Sequence, residues 1–192
     1  SGLVSGDTVT GTYSGLFDTA NIGTGKTVTI TPSYGGTDVN NYTITDQAST
    51  TADVTAKTLT ATASTANKTY DGTTTATTTL TFSGLVGSET LGQTVGSTFD
   101  NKNVGTGKSV TVNSITLADG TGLAANYSIS PGQTTTADVT AKALTVSGIT
   151  ASNKTYDATT TATLNTGSVT YTGLVSGDVF NGTYTGAFSD KN

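Results

Sequence analysis

Apolar residues in this chain recur at every second position, in short runs set among Thr, Ser and Gly. Val9, Tyr13 and Phe17 share one parity, as do Val28 with Ile30, Tyr42 with Ile44, and Ala52 with Val54 and Ala56. Successive side chains of a strand point to opposite faces, so each set predicts one face of a β-strand. Helical i, i+3, i+4 stripes are missing, and the pattern allows helix only for one turn around GLVSGD. Runs of Thr, β-branched and stiff at χ1, disfavour helix further. The pattern predicts an all-β chain.

The same pattern returns along the chain. NKTYDG at 67–72 recurs as NKTYDA at 153–158, ADVTAK at 52–57 as 137–142, and GTGK at 23–26 as 105–108. Asn41-Tyr42 matches Asn126-Tyr127, and SGLVSGD at 1–7 returns as TGLVSGD at 172–178. The anchors keep their order at a period of about 86 residues, which is the signature of a tandem array. Val9, Tyr13 and Phe17 align with Leu91, Val95 and Phe99, and with Phe180, Tyr184 and Phe188. All nine are expected on an inward face.

A change of parity marks the joints. Apolar residues sit at even positions through Ala56 and at odd ones from Leu59, Ala61 and Ala63 onward. Ala137, Val139 and Ala141 likewise give way to Leu144 and Val146. A one-residue change turns the inward face outward. One extended segment therefore leaves one repeat and enters the next at Lys57 and Lys142. The expected division is 1–57, a partial repeat lacking its first strands; 58–142, a complete repeat; and 143–192, a partial repeat lacking its last strands. Six or seven short strands in a unit of this size predict an immunoglobulin-like β-sandwich, repeated as a rod or filament. A β-grasp-like sheet is the alternative.

The phrases NKTYDGTTTAT, GLVGSE, FDNKNVGTGKSVTV, NYSIS and ADVTAKALTV resemble the YDG repeat of bacterial surface proteins, and the closing phrase resembles the related MBG repeat. Such repeats occur in large adhesins, including filamentous-haemagglutinin-like exoproteins secreted by the two-partner route. The resemblance covers all three copies and departs from the pattern at Ala158, where Gly is expected. It implies an extracellular stalk or filament, and it does not imply a receptor-binding site in any given repeat.

Composition narrows the partners. Of 192 residues 33% are hydrophobic and 11% charged, with a net charge of −5. Thr makes up about a quarter of the chain, far above average usage. An acidic chain without Arg lacks the basic patches that nucleic acid requires. No apolar run approaches the ~20 residues of a membrane span. Cys, His, Met and Trp are absent. Low charge, high Thr and Gly and repetition together favour the outside of a cell, and the YDG resemblance implies a bacterial surface or a secreted protein.

Chemistry-bearing residues mostly read as turns. Tyr70-Asp71-Gly72 and Tyr156-Asp157-Ala158 predict a packed Tyr followed by an Asx turn. GTGK lacks the Walker spacing and predicts a hairpin turn. Asp38-Val39-Asn40-Asn41, Asp100-Asn101-Lys102-Asn103 and Asp119-Gly120 fit loop turns better than the six to eight oxygens of a Ca²⁺ site. Lys68 or Lys154 could supply the amine of an isopeptide bond, but the sole Glu, Glu89, has no counterpart in the other copies. Thr27–Thr31 is the polar face of a strand. Asn-x-Ser/Thr sequons stand at Asn41, Asn67, Asn126, Asn153 and Asn181. Without His or Cys, and with no carboxylate pair, the chain offers no positioned base or nucleophile. The sequence assigns no catalytic, cofactor-binding or metal-ligating residue and implies no cofactor.

The expected function is a spacer or scaffold in adhesion and biofilm. A module binding surface glycans or matrix is the alternative. The expected partners are neighbouring repeats, or copies of the chain head to tail, since residues 172–192 repeat the phase of 1–21. In that scheme residues 143–171 of one copy would cover Val28, Ile30, Tyr42 and Ile44 of the next.

Overall fold

A computed structural model describes residues 2–190 of the chain. The fold is all-β. Among the described residues the only helices are two 3₁₀ turns, Val39–Asn41 and Ala124–Asn126, each leading into a tyrosine. GLVSGD forms a tight turn closed by the Asp7 N–H on the Val4 carbonyl, in place of the helical turn allowed by the pattern.

The strands in chain order are β1 (Thr10–Phe17), β2 (Gly23–Gly35), β3 (Ser49–Val54), β4 (Lys57–Thr58), β5 (Thr60–Thr65), β6 (Lys68–Thr69), β7 (Thr75–Ala76), β8 (Thr78–Ser83), β9 (Leu91–Phe99), β10 (Gly105–Asp119), β11 (Tyr127–Ser128) and β12 (Thr134–Thr140). Six shorter pieces follow: β13 (Thr145–Ser147), β14 (Thr150–Ala151), β15 (Thr161–Ala162), β16 (Leu164–Asn165), β17 (Thr170–Thr172) and β18 (Gly186–Ala187). Residues 58–142 thus hold β5 to β12, more and shorter strands than expected, because Thr and Gly turns interrupt the ladders. Tyr42 and Ile44, expected on a strand, lie in irregular chain.

The chain packs as two compact units. The first comprises Ser1–Ala61, Phe82–Thr94 and Thr116–Ser130. It holds an antiparallel sheet in the order β1-β2-β3, with Tyr13 opposite Pro32 and Val28 opposite Thr50. It also holds a parallel pair in which β4 lies beside β11, Lys57 opposite Tyr127.

The second unit comprises Thr62–Thr81, Val95–Ile115 and Pro131–Asn192. Its five-stranded sheet has the order β6-β12-β10-β9-β7. The short leading strand β6 runs parallel to the closing strand β12, and β10 and β12 are antiparallel. Ala76, Phe99, Val110, Ala137 and Val139 form its buried cluster, with Tyr70 packed against it. The pieces after Ala143 pair only two by two: β13 with β17, β14 with β16, and β15 with β18.

Burial follows the predicted change of phase in part. At the second joint Ala137 and Val139 are buried and Leu144 half-buried, but Ala141 and Val146 are exposed. At the first joint Ala52 is exposed while its neighbours keep the pattern. Val54 and Ala56 are half-buried at even positions, Leu59 is buried, and Ala61 and Ala63 are half-buried at odd ones. The inward-face assignment is only partly correct. Phe99 is 3% exposed, but its counterparts Phe17 and Phe188 are 38% and 41% exposed and Tyr13 is 67% exposed. Phe99 is covered by the segment carrying Tyr70 and Ala76. Residues 1–57 contain no such segment. In the last repeat its counterpart, around Tyr156, is wholly exposed. Parity set which face is apolar; the covering layer decides whether that face is buried.

Candidate functional site at the repeat joints

The Tyr-Asp-Gly turn is built around a lysine. Asp71 Oδ1 accepts the Thr73 N–H at 2.8 Å and the Thr73 hydroxyl at 2.9 Å, the Asx turn expected from the sequence. Lys68 Nζ lies 2.8 Å from the same oxygen and donates to the Thr73 and Thr75 carbonyls, each at 3.0 Å. It also stands 5.6 Å from the centre of the Phe99 ring. The last repeat rebuilds this arrangement with Lys154, Asp157, Thr159, Thr161 and Phe188. Asp157 closes the turn although Ala158 must adopt φ 59°, where Gly72 has φ 80°. The ammonium of Lys68 holds the Asp71 carboxyl at about 2 instead of 3.8, and Lys154 does the same for Asp157. Both lysines are engaged as turn cations.

GTGK is not the tip of a hairpin. It opens β2 and β10 as a bulge, between the pairs Gly23–Val54 and Lys26–Ala52 in one repeat and Gly105–Val139 and Lys108–Ala137 in the next. The second glycine of each has positive φ and donates its N–H, at 2.7 Å, to Asp53 or Asp138. Lys26 and Lys108 are folded inward onto Asp18 and Asp100, their side chains 9% exposed.

The third device was not recognised from sequence. In the turn at 2–7, the Tyr42 hydroxyl accepts the Val4 N–H at 2.8 Å and donates to Asp7 Oδ2 at 2.7 Å. In the turn at 84–89, Tyr127 accepts the Val86 N–H and donates to Glu89. Glu89 therefore does have counterparts, Asp7 and Asp178. The signal in the sequence is an acid of either length at one place in three copies, which the single Glu does not reveal.

At the turn at 173–178 the partner comes from the preceding repeat. The Tyr70 hydroxyl donates to Asp178 Oδ2 at 2.7 Å, and Lys102 Nζ lies 3.4 Å from Oδ1. Tyr70, Val104, Leu144, Leu174, Val175 and Asp178 line an open cleft of about 240 Å³. The Tyr70 hydroxyl, and after it the Lys102 ammonium, hold the Asp178 carboxyl below its ordinary value. A Cβ added at Gly72 would stand 2.8 Å from Val175 Cγ1, so Gly72 is needed for close approach as well as for φ.

The other joint, between residues 1–57 and the repeat that follows, uses main-chain and amide groups. The Ile22 N–H donates to Asn126 Oδ1 at 3.0 Å, and Asn126 Nδ2 donates to Asn21 Oδ1 at 3.0 Å. The Leu59 N–H donates to the Ser128 carbonyl at 2.8 Å beside the β4–β11 pair.

The Asp-rich segments form local turns. Asp38 Oδ2 accepts the Thr8 N–H and the Thr37 hydroxyl, Asp100 faces Lys108, and Asp119 caps the Ala124 N–H. Among the described residues no group of three or more acids is placed to hold a metal ion. Nor is any helix among them long and apolar enough to cross a membrane.

An all-β chain whose copies bond directly to one another through recurring turns is a tandem-repeat protein. The YDG domain matches it at residues 1–52, 55–137 and 140–192, so the chain belongs to the YDG-domain family. No curated protein and no solved structure matches it.

Proposed function

We propose that these YDG repeats form the stalk or filament of an extracellular bacterial adhesin, acting as spacer and scaffold in adhesion and biofilm and carrying no catalysis. The observation behind this reading is the joint itself. Tyr70 and Lys102 of one repeat bond to Asp178 of the next, and Asn21 and Ile22 bond across the other joint to Asn126. Bonds of this kind limit rotation between neighbours, which is what a spacer requires. The Thr-rich surface and the absence of Cys and Met suit a chain exposed to oxidants outside the cell.

One observation favours the glycan-binding alternative. Tyr13 and Tyr34 meet edge to face at 6.1 Å beside Pro32, Asp46 and Gln47, in an open cleft of about 330 Å³. The exposed Tyr13 ring and the half-buried Tyr34 ring, beside amide and carboxylate groups, are the equipment of a sugar site. A glycan array probed with the whole chain separates the two readings. The spacer reading expects no binding; binding that Tyr13→Ala abolishes would overturn it.

A further inference from the structure

The joint at Asp178 is occupied, while both of its halves recur elsewhere in the chain without a partner of this kind. On the donor side, Tyr156 corresponds to Tyr70 and Ala158 to Gly72. Tyr70 is packed and bonded to Asp178, whereas Tyr156 is 71% exposed on an otherwise equivalent lysine-centred turn. On the acceptor side, the turn at 2–7 corresponds to the turn at 173–178. Val175 is half-buried against the preceding repeat, whereas Leu3 and Val4 are 55% and 63% exposed. The two turns have the same backbone closure, Asp7 N–H to the Val4 carbonyl at 3.1 Å and Asp178 N–H to the Val175 carbonyl at 3.0 Å. Asp7 Oδ2 already accepts from Tyr42 of its own repeat. A carboxylate offers about four acceptor positions, so a second hydroxyl can be accommodated.

We infer that the Tyr156 turn and the Leu3–Val4–Asp7 turn are the donor and acceptor halves of one interaction surface, and that its occupant is another YDG repeat, here a second copy of this chain. Tyr156 of one copy seats on the 2–7 turn of the other, its hydroxyl on Asp7 and its ring beside Leu3 and Val4. In a continuous array, each such acid then binds two tyrosines: one from its own repeat, as Tyr42 and Tyr127 show, and one from the repeat before, as Tyr70 shows. Each of the three acids in the chain displays one part of this arrangement. The inference rests on the tandem-spacer reading and names the contact that links its units.

The chain contains no cysteine, which makes disulfide trapping clean. Gly72 approaches Val175 closely at the occupied joint, so the corresponding pair between copies is Ala158 and Val4, where the Ala158 Cβ requires the Val4 side chain to turn aside. Ala158→Cys and Val4→Cys chains are mixed under mild oxidation. The cross-linked heterodimer should exceed the statistical mixture with the two homodimers. Tyr156→Phe in the Ala158→Cys chain keeps the ring and removes the hydroxyl, and should cut the heterodimer yield about tenfold. A statistical mixture, or a heterodimer excess indifferent to Tyr156→Phe, overturns the inference. Neither result touches the spacer reading, which stands or falls on the glycan array.

Discussion

At the scale of single residues, the two Tyr-Asp turns provide an internal comparison. Gly72 and Ala158 occupy the same left-handed position, at φ 80° and 59°. A non-glycine residue there costs about 1–2 kcal/mol relative to ordinary backbone. Ala158→Gly should therefore stabilise the last repeat by about 1 kcal/mol, after allowing for the extra freedom glycine gives the unfolded chain. Gly72→Ala should destabilise by more than that amount, because its Cβ also meets Val175 at 2.8 Å. Thermal melts of the two variants check both signs. The lysines at these turns set a pH dependence. Asp71 and Asp157 are depressed from 3.8 to about 2 by Lys68 and Lys154. A carboxyl with a lowered folded pKa contributes stability above its unfolded value, and that contribution is lost as pH falls through the folded one. The turns should hold above about pH 4 and loosen progressively toward pH 2. Carboxyl NMR titration reads this directly, and midpoints near 3.8 would contradict the lysine contacts. The Asx turn was legible in Asp-Gly-Thr. The lysine at its centre was not, because Lys68 looks like any surface Lys until its tail is seen against the Phe99 ring.

At the scale of strands, equal parity does not mean equal burial. Phe99 packs with Ala76, Val110, Ala137 and Val139, so Phe99→Ala should cost roughly 3–5 kcal/mol. Phe17→Ala, at a position already 38% exposed, should cost under about 1 kcal/mol. Equal losses by urea denaturation would mean that the faces of β1 and β9 are packed alike. Period-2 spacing gave the orientation of Val139 and Leu59 and the phase change at Lys57, because pleat geometry maps directly onto sequence. It could not give the covering layer, which depends on segments far away in the chain. GTGK shows a related limit. Its glycines correctly signalled positive φ, but a bulge and a hairpin tip ask for the same residues, and only the pairing of Lys26 with Ala52 tells them apart.

At the scale of the whole molecule, two divisions of the chain compete as folding units. The compact units each combine three separated segments, and both draw on residues 58–142. The repeat read from sequence is instead one continuous stretch. The buried apolar side chains bear on the choice. Leu59, Ala76, Leu80, Phe99, Val110, Val112, Tyr127, Ala137 and Val139 all fall between positions 59 and 139. A stretch that owns these side chains carries its own hydrophobic driving force, and β6 pairing with β12 joins its beginning to its end. Lys68 and Lys108 are matched locally, with Asp71 and Asp100, although Lys102 has its partner at Asp178, and among the described residues no three acids converge as metal ligands. Residues 58–142 expressed alone should therefore show one cooperative β-type melt, unchanged by chelator. Two transitions, or a collapsed product without fixed packing, would mean that residues 1–57 are needed to complete the fold. A melt abolished by chelator would place a metal among the Asp-rich turns.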